Sequence, residues 1–420
     1  MLLPVGVAAV FLGVLSYFAV ERPWISEPAV SSVFAPPPRS IAVLPFVNMS
    51  GDRQQEYFSD GLTEEILNSL TRINDLQVAA RTSSFAFEGK ETDIGSVARK
   101  LNVGAVLEGS VRRSGHTLRV TAQLINAVTG FQIWSQTYDY DLGNVLILQT
   151  EIATAVADAL KVRLLGDISQ KIELGGTRNP AAFDAYLRGK MIGRTGTTAE
   201  QGRAAIAAYT EAIRLDPAYA LAFAERSIEL TDYGSFAVYD PKAAHVVFDR
   251  ALTDARTATR LAPDLAEAYY ALAVALQSDS LDFAQSDEAY TRAMTLAPGS
   301  ARVLAAYSRQ AAQMGRTAVA ITAGHRAIAL DPLNFHVHRT VGIAFLLSRE
   351  YADALAAFNT AISLQPDYVR DVHLRGDAQY AMGDYYYCVI NIMALYAELH
   401  NPGQRHGASF AAREVYGVRR

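Results

Sequence analysis

Five carboxylates, Asp52, Glu56, Asp60, Glu64 and Glu65, crowd one short stretch of the sequence. Carboxylates in such company can exchange protons with a substrate or hold a hard cation through oxygen ligands. The same stretch opens a helical pattern, with Leu62, Ile66, Leu67 and Leu70 on one face and Asp60 as a plausible N-cap. Acidic side chains at a helix start oppose its dipole, so the preferred reading is a capped, solvated helix start with no ligand. Gly51 and Gly61 lie nearby, but neither the P-loop pattern nor G-x-G-x-x-G is present. His336 and His338 form an H-x-H pair that points to nearly opposite sides of a helix, which argues against joint metal ligation. There is no H-E-x-x-H and no G-x-S-x-G. The single cysteine, Cys388, excludes an internal disulfide framework and a cysteine-rich zinc site, and its position suits a small core residue better than a nucleophile. No catalytic residue, cofactor or metal is expected.

The elements around these residues fall into distinct stretches. Residues 2–20 carry no charge and are rich in Leu, Val, Ala and Phe. As a helix they would span about 28 Å, so an uncleaved transmembrane anchor is expected. Residues 21–38, with Pro23, Pro28 and Pro36-Pro37-Pro38, read as an extended linker. Residues 39–165 read as a small α/β domain with a mixed sheet. Its strands are expected near 41–47, 76–80, 105–111, 118–126 and 131–138, with helices from Asp60, over 94–101 and over 145–165. The net charge of −5 argues against general nucleic-acid binding.

From residue 180 strand patterns stop and a repeat begins. Leu-x-Pro recurs at Pro217, Pro263, Pro298, Pro332 and Pro366, at spacings of 46, 35, 34 and 34 residues. A period of 34 is that of paired helices stacked into an all-α solenoid, the proline ending each second helix. The 46-residue step predicts an insertion near Tyr233 to Pro241. Residues 180–399 are expected to form the repeat domain and 400–420 an irregular tail. In such hairpins the first helices line the concave face. By register its exposed positions are Arg302, Arg309, His336, Arg339, Arg370, His373 and Asp377, four of them arginines. A mainly cationic groove of this kind would grip an acidic peptide or a C-terminal carboxylate.

Two resemblances follow. The repeat half resembles tetratricopeptide-repeat proteins. Residues 39–165 resemble the TolB-like amino-terminal domain of bacterial repeat proteins through SIAVLPFVNMSGD (Ser40 to Asp52), EYFSDGLTEEI (Glu56 to Ile66), VAARTSSFAF (Val78 to Phe87), VLEGSVRRSG (Val106 to Gly115) and LRVTAQLINAVTG (Leu118 to Gly130). Proteins of this arrangement often carry an adenylate cyclase or winged-helix DNA-binding domain before the membrane helix. The resemblance therefore implies a signalling role, with the TolB-like and repeat parts on the periplasmic side. This chain starts at the expected membrane helix, which leaves no residues for either output domain.

The expectation is a single-pass, membrane-anchored scaffold or sensor of bacterial envelope signalling that binds protein or acidic peptide, uses no nucleic acid and is not an enzyme. The alternatives are the regulatory remnant of a cyclase or winged-helix regulator, and an unrecognised enzyme site in the α/β domain. Oligomeric state is not readable from these residues.

Overall fold

The computed structural model describes residues 34–384 apart from 74–75, 91–92, 142–143, 163–173, 196–197, 239, 279–281 and 367–368. Cys388, the 400–420 tail and most of the proline linker lie outside the described residues.

The α/β part is built on a six-stranded sheet of order β3-β1-β4-β5-β6, with β2 also pairing β4. The strands are β1 (Ser40–Val43), β2 (Val47–Asn48), β3 (Gln77–Val78), β4 (Ala105–Ser114), β5 (Thr117–Asn126) and β6 (Gln132–Asp141). β1 runs parallel to β3 and β4, while β4, β5 and β6 form an antiparallel meander. β1 and β2 are two pieces of one line along β4. Leu44 and Met49 donate to the carbonyls of Leu107 and Val111 at 2.8 and 2.7 Å. Pro45 between them has no N–H to donate, so the ladder breaks there. Phe46 turns inward at the break and covers Gly109, where a Cβ would stand 2.3 Å from the Thr121 carbonyl and 2.8 Å from the Phe46 ring.

Alternation dictates which face is dry. Leu118, Val120, Ala122 and Leu124 of β5 are fully buried. Arg119, Thr121 and Gln123 between them face Asp139, Thr137 and Ser135 of β6 on the other side. The dry face is covered by α1 (Glu56–Thr71) and α4 (Val145–Ala159). Two shorter helices, α2 (Arg81–Phe85) and α3 (Ile94–Leu101), fill the crossovers between β3 and β4.

The rest of the described chain is helical hairpins: α5 (Pro180–Thr195) with α6 (Ala199–Leu215), α7 (Ala220–Ala237) with α8 (Pro241–Leu261), α9 (Ala266–Ser278) with α10 (Phe283–Leu296), α11 (Ala301–Gln313) with α12 (Thr317–Leu330), and α13 (Phe335–Leu347) with α14 (Tyr351–Leu364), followed by α15 (Val369–Ala381). The paired helices repeat at the 34-residue spacing expected from the sequence. Each second helix ends at the leucine of Leu-x-Pro. The residue after that leucine donates its N–H to Ala212, Ala258, Ala293, Ala327 or Ala361, all fully buried. A small residue at that place lets neighbouring helices close up. Gly342 serves the same end, since a Cβ there would lie 2.6 Å from the Phe358 ring. One hydrophobic core runs from Ile41 of the sheet to Leu276 of α9, and a second continues from Ala273 to Ala378. The α/β part and the first hairpins are thus fused through shared core.

The 46-residue step is an insertion where expected, around Tyr233 to Pro241, and it takes helical form: α7 has 18 residues and α8 has 21, against 13 and 14 in the hairpin of α11 and α12, so the twelve extra residues lengthen the facing ends of both helices. One expectation needs correction: the transmembrane helix fails. Residues 2–20 lie outside the described residues, and no described helix is long and apolar enough to cross a membrane. The longest, α7 and α8, carry Glu225, Arg226, Glu229 and Asp232, and Lys242, Asp249, Arg250, Asp254, Arg256 and Arg260, charges that a bilayer core rejects. The reading as a single-pass, membrane-anchored protein with a periplasmic bulk is withdrawn.

Candidate interaction site

Two carboxylates of α1, Glu64 and Glu65, are committed to the solenoid. Gly61 has no side chain to meet Leu187, so α1 lies close against α5. Lys190 of α5 then inserts between Glu64 and Glu65, at 2.8 and 2.9 Å. Arg81 takes the other Glu64 oxygen at 2.8 Å. Burial works against the Lys190 charge, but Glu64 and Glu65 outweigh it and hold the ammonium above its ordinary pKa. Glu64 and Glu65 therefore do not belong to the solvated helix start expected from sequence. Asp52 caps the short turn Arg53–Gln55 ahead of α1, accepting from Gln54 N at 2.9 Å, whereas Asp60, the expected N-cap, lies inside α1, which begins at Glu56.

The seam continues along the starts of later first helices. Arg72 reaches Glu267 of α9 at 3.2 Å and the Leu174 carbonyl at 3.4 Å. At α2, Ser83 donates both its N–H (3.0 Å) and its hydroxyl (2.6 Å) to Asp331, while Ala80 N donates to the Leu330 carbonyl at 2.8 Å. Asn334 donates to Thr82 at 3.1 Å. Asp331 is buried, which pushes its carboxyl pKa up against the lowering effect of the Ser83 and Asn334 donors.

Arg302 lies 4.7 Å over the Tyr270 ring and 3.5 Å from Glu225. Arg309, two turns further along α11, is half-buried, and its Nε has no hydrogen-bond partner among the described residues. Arg339 donates to His336 Nδ1 and lies 3.8 Å from fully buried Asp371. Burial and then Arg339 push the His336 pKa down to about 4. His373 and Asp377 lie 3.9 Å apart on the exposed side of α15. Arg302 and Arg309 lie on one first helix and the His336–Arg339 pair on the next.

Sequence reasoning missed Glu225, Glu229 and Asp232, which recur at helical spacing along α7. Burial, then Asp232 and Glu225, push the Glu229 pKa up to about 7. Acidic side chains thus recur along α7 where α11 carries Arg302 and Arg309. The one-face register applied to the arginines would have found these acids had it been extended to α7. His338 turns into the core and contacts the Pro332 carbonyl at 2.8 Å, apart from His336. Among the described residues no group of His, Cys, Asp and Glu is arranged to hold a metal ion.

No protein-family model matches the chain. A protein of Rhizobium meliloti (strain 1021) named "Putative adenylate cyclase 3" is 39% identical over 206 residues, which is 47% of this chain and 35% of that protein. The match therefore spans about a third of that relative's length. Among solved structures, YrrB, titled a TPR protein with an unusual peptide-binding site, is 14% identical with a TM-score of 0.33, covering 49% of this chain and 97% of its own. A thermophilic TPR protein of Thermus thermophilus gives 16% and 0.39, covering 48% and 99%. Pseudomonas aeruginosa PilF gives 16% and 0.38, covering 53% and 94%. At that level of superposition nothing functional is carried over from them.

Proposed function

We propose that this chain is a protein-interaction scaffold whose solenoid holds a TolB-like domain, residues 39–165, along one edge and offers its inner face, within 180–399, to an acidic peptide or a C-terminal carboxylate. The observation that carries the reading is Arg309, a half-buried guanidinium whose Nε has no hydrogen-bond partner among the described residues. Beside it, Arg302 already holds a carboxylate, that of Glu225, in the manner expected for a ligand. Arg339 extends the cationic side, with the neutral His336 ring against it, and His373 with Asp377 marks its end. The test is a titration of the full chain with acidic peptides bearing free or amidated C-termini, followed by fluorescence anisotropy. Arg309→Glu removes binding if the reading holds. Arg309 is the cleaner position, because Arg339 also answers the buried Asp371. Peptide binding unchanged by Arg309→Glu would overturn it.

A second reading, favoured by the 206-residue likeness to the Rhizobium protein, is the regulatory part of a cyclase-type signalling protein. It expects no cyclic AMP from the purified chain with ATP. Turnover would move the chain to the enzyme class.

A further inference from the structure

Where β4 and β5 turn beside the start of α5, a cleft of about 400 Å³ opens between the sheet and the first hairpin. It uses none of the groove residues and stands independently of the peptide reading. Its floor is apolar: Phe58 and Phe183 meet edge to face at 6.3 Å, with Pro180 and Ala181 beside them. Its rim is polar. Arg113 stacks 5.1 Å from the Phe58 ring and lies 3.2 Å from Asp184, and His116 follows the left-handed Gly115 at the hairpin tip.

Charge decides what fits. Asp184 receives the Tyr57 hydroxyl at 2.6 Å, Arg113 at 3.2 Å and Arg188 at 3.4 Å. Burial and the Asp184 bond raise the Tyr57 pKa to about 12, so the phenol stays a neutral donor. One carboxylate thus faces two guanidiniums, and a positive charge is left over. The positive end of the α5 dipole opens at the same place. The volume lies near the lower end of ligand pockets, and such sites gather at domain junctions.

We propose that this cleft binds a small aromatic carboxylate, its ring against Phe58 and Phe183 and its carboxylate on Arg113. Arg113 belongs to β4 and Asp184 to α5, so a ligand there acts on the contact joining the α/β domain to the solenoid.

The test is saturation-transfer NMR on the full chain with benzoate and phenylacetate as probes, and phenylacetamide as the uncharged control. Both carboxylates receive saturation, and the amide binds about tenfold more weakly or worse. Ala181→Trp fills the cleft from an exposed position without touching the ion pairs, and abolishes transfer. Arg113→Gln weakens the carboxylates to the level of the amide. No transfer to either carboxylate, transfer unchanged in Ala181→Trp, or equal binding of acid and amide would each overturn the proposal.

Discussion

Arg302 on α11 meets Glu225 on α7 at 3.5 Å, across the Tyr270 ring carried by the first helix between them. Side chains two hairpins apart thus touch. A peptide carboxylate arriving at Arg302 must displace Glu225. Glu225→Gln removes the competitor, and affinity for an acidic peptide is expected to tighten about two- to fivefold, the worth of a half-exposed ion pair. Fluorescence anisotropy reads the change. Weaker binding would mean that Glu225 helps to hold the ligand.

Lys190 stands between two carboxylates in a seam from which water is largely excluded, its side chain only 10% exposed. Lys190→Met leaves Glu64 and Glu65 facing each other with no ammonium between them. The expected loss is about 3–5 kcal/mol, that of breaking a buried ion pair from one side. Urea denaturation should show a lower midpoint. Adding Glu65→Gln to the same chain, which leaves Glu64 its Arg81 partner, should recover much of the loss. If the double variant is no more stable than the single one, the cost lies in packing and not in charge.

How far the sequence foretold this arrangement depends on the range of the interaction. The hairpins were legible because Leu-x-Pro and its buried alanine recur locally, and the meander because β5 alternates residue by residue. The helix α2 was not, since RTSSF is too short to show a period. Its purpose lies 248 residues away at Asp331. Glu64 and Glu65 looked solvated for the same reason: Lys190 is distant in sequence and adjacent only in the fold. The arginine register rests on the strict 34-residue spacing from α11 onward. Glu225 and Glu229 escaped because α7 belongs to the lengthened hairpin. The apolar stretch at 2–20 promised a membrane span that no described helix provides.

Gly342 should tolerate no side chain. Phe358 is fully buried between the helices, and a Cβ at 342 would stand 2.6 Å from its ring. Gly342→Ala forces that ring aside, and overpacking of this kind costs about 1–3 kcal/mol. Thermal unfolding followed by far-ultraviolet circular dichroism gives the loss. Gly342→Ala with Phe358→Leu should be more stable than the two single effects added together, because the smaller side chain relieves the clash. Simple additivity would show that the two sites do not share this contact.

Acid should weaken the solenoid through His338. Its ring is 5% exposed, with Nε2 2.8 Å from the Pro332 carbonyl. Nδ1 has no hydrogen-bond partner among the described residues, so a second proton would be added without an acceptor. Burial lowers the pKa, and the Pro332 carbonyl and nearby Asp331 only partly oppose it. The folded chain therefore holds the neutral ring while the unfolded chain takes up a proton near its ordinary value of about 6.5. The stabilisation is fully present above that value and is lost as pH falls below it toward the depressed folded pKa. Leu304 occupies the same place one 34-residue repeat earlier, so His338→Leu is a substitution the architecture already accommodates. Melting temperatures at about pH 8 and about pH 5.5 should differ less in His338→Leu than in the unaltered chain. An equal difference in both would assign the acid sensitivity to other groups.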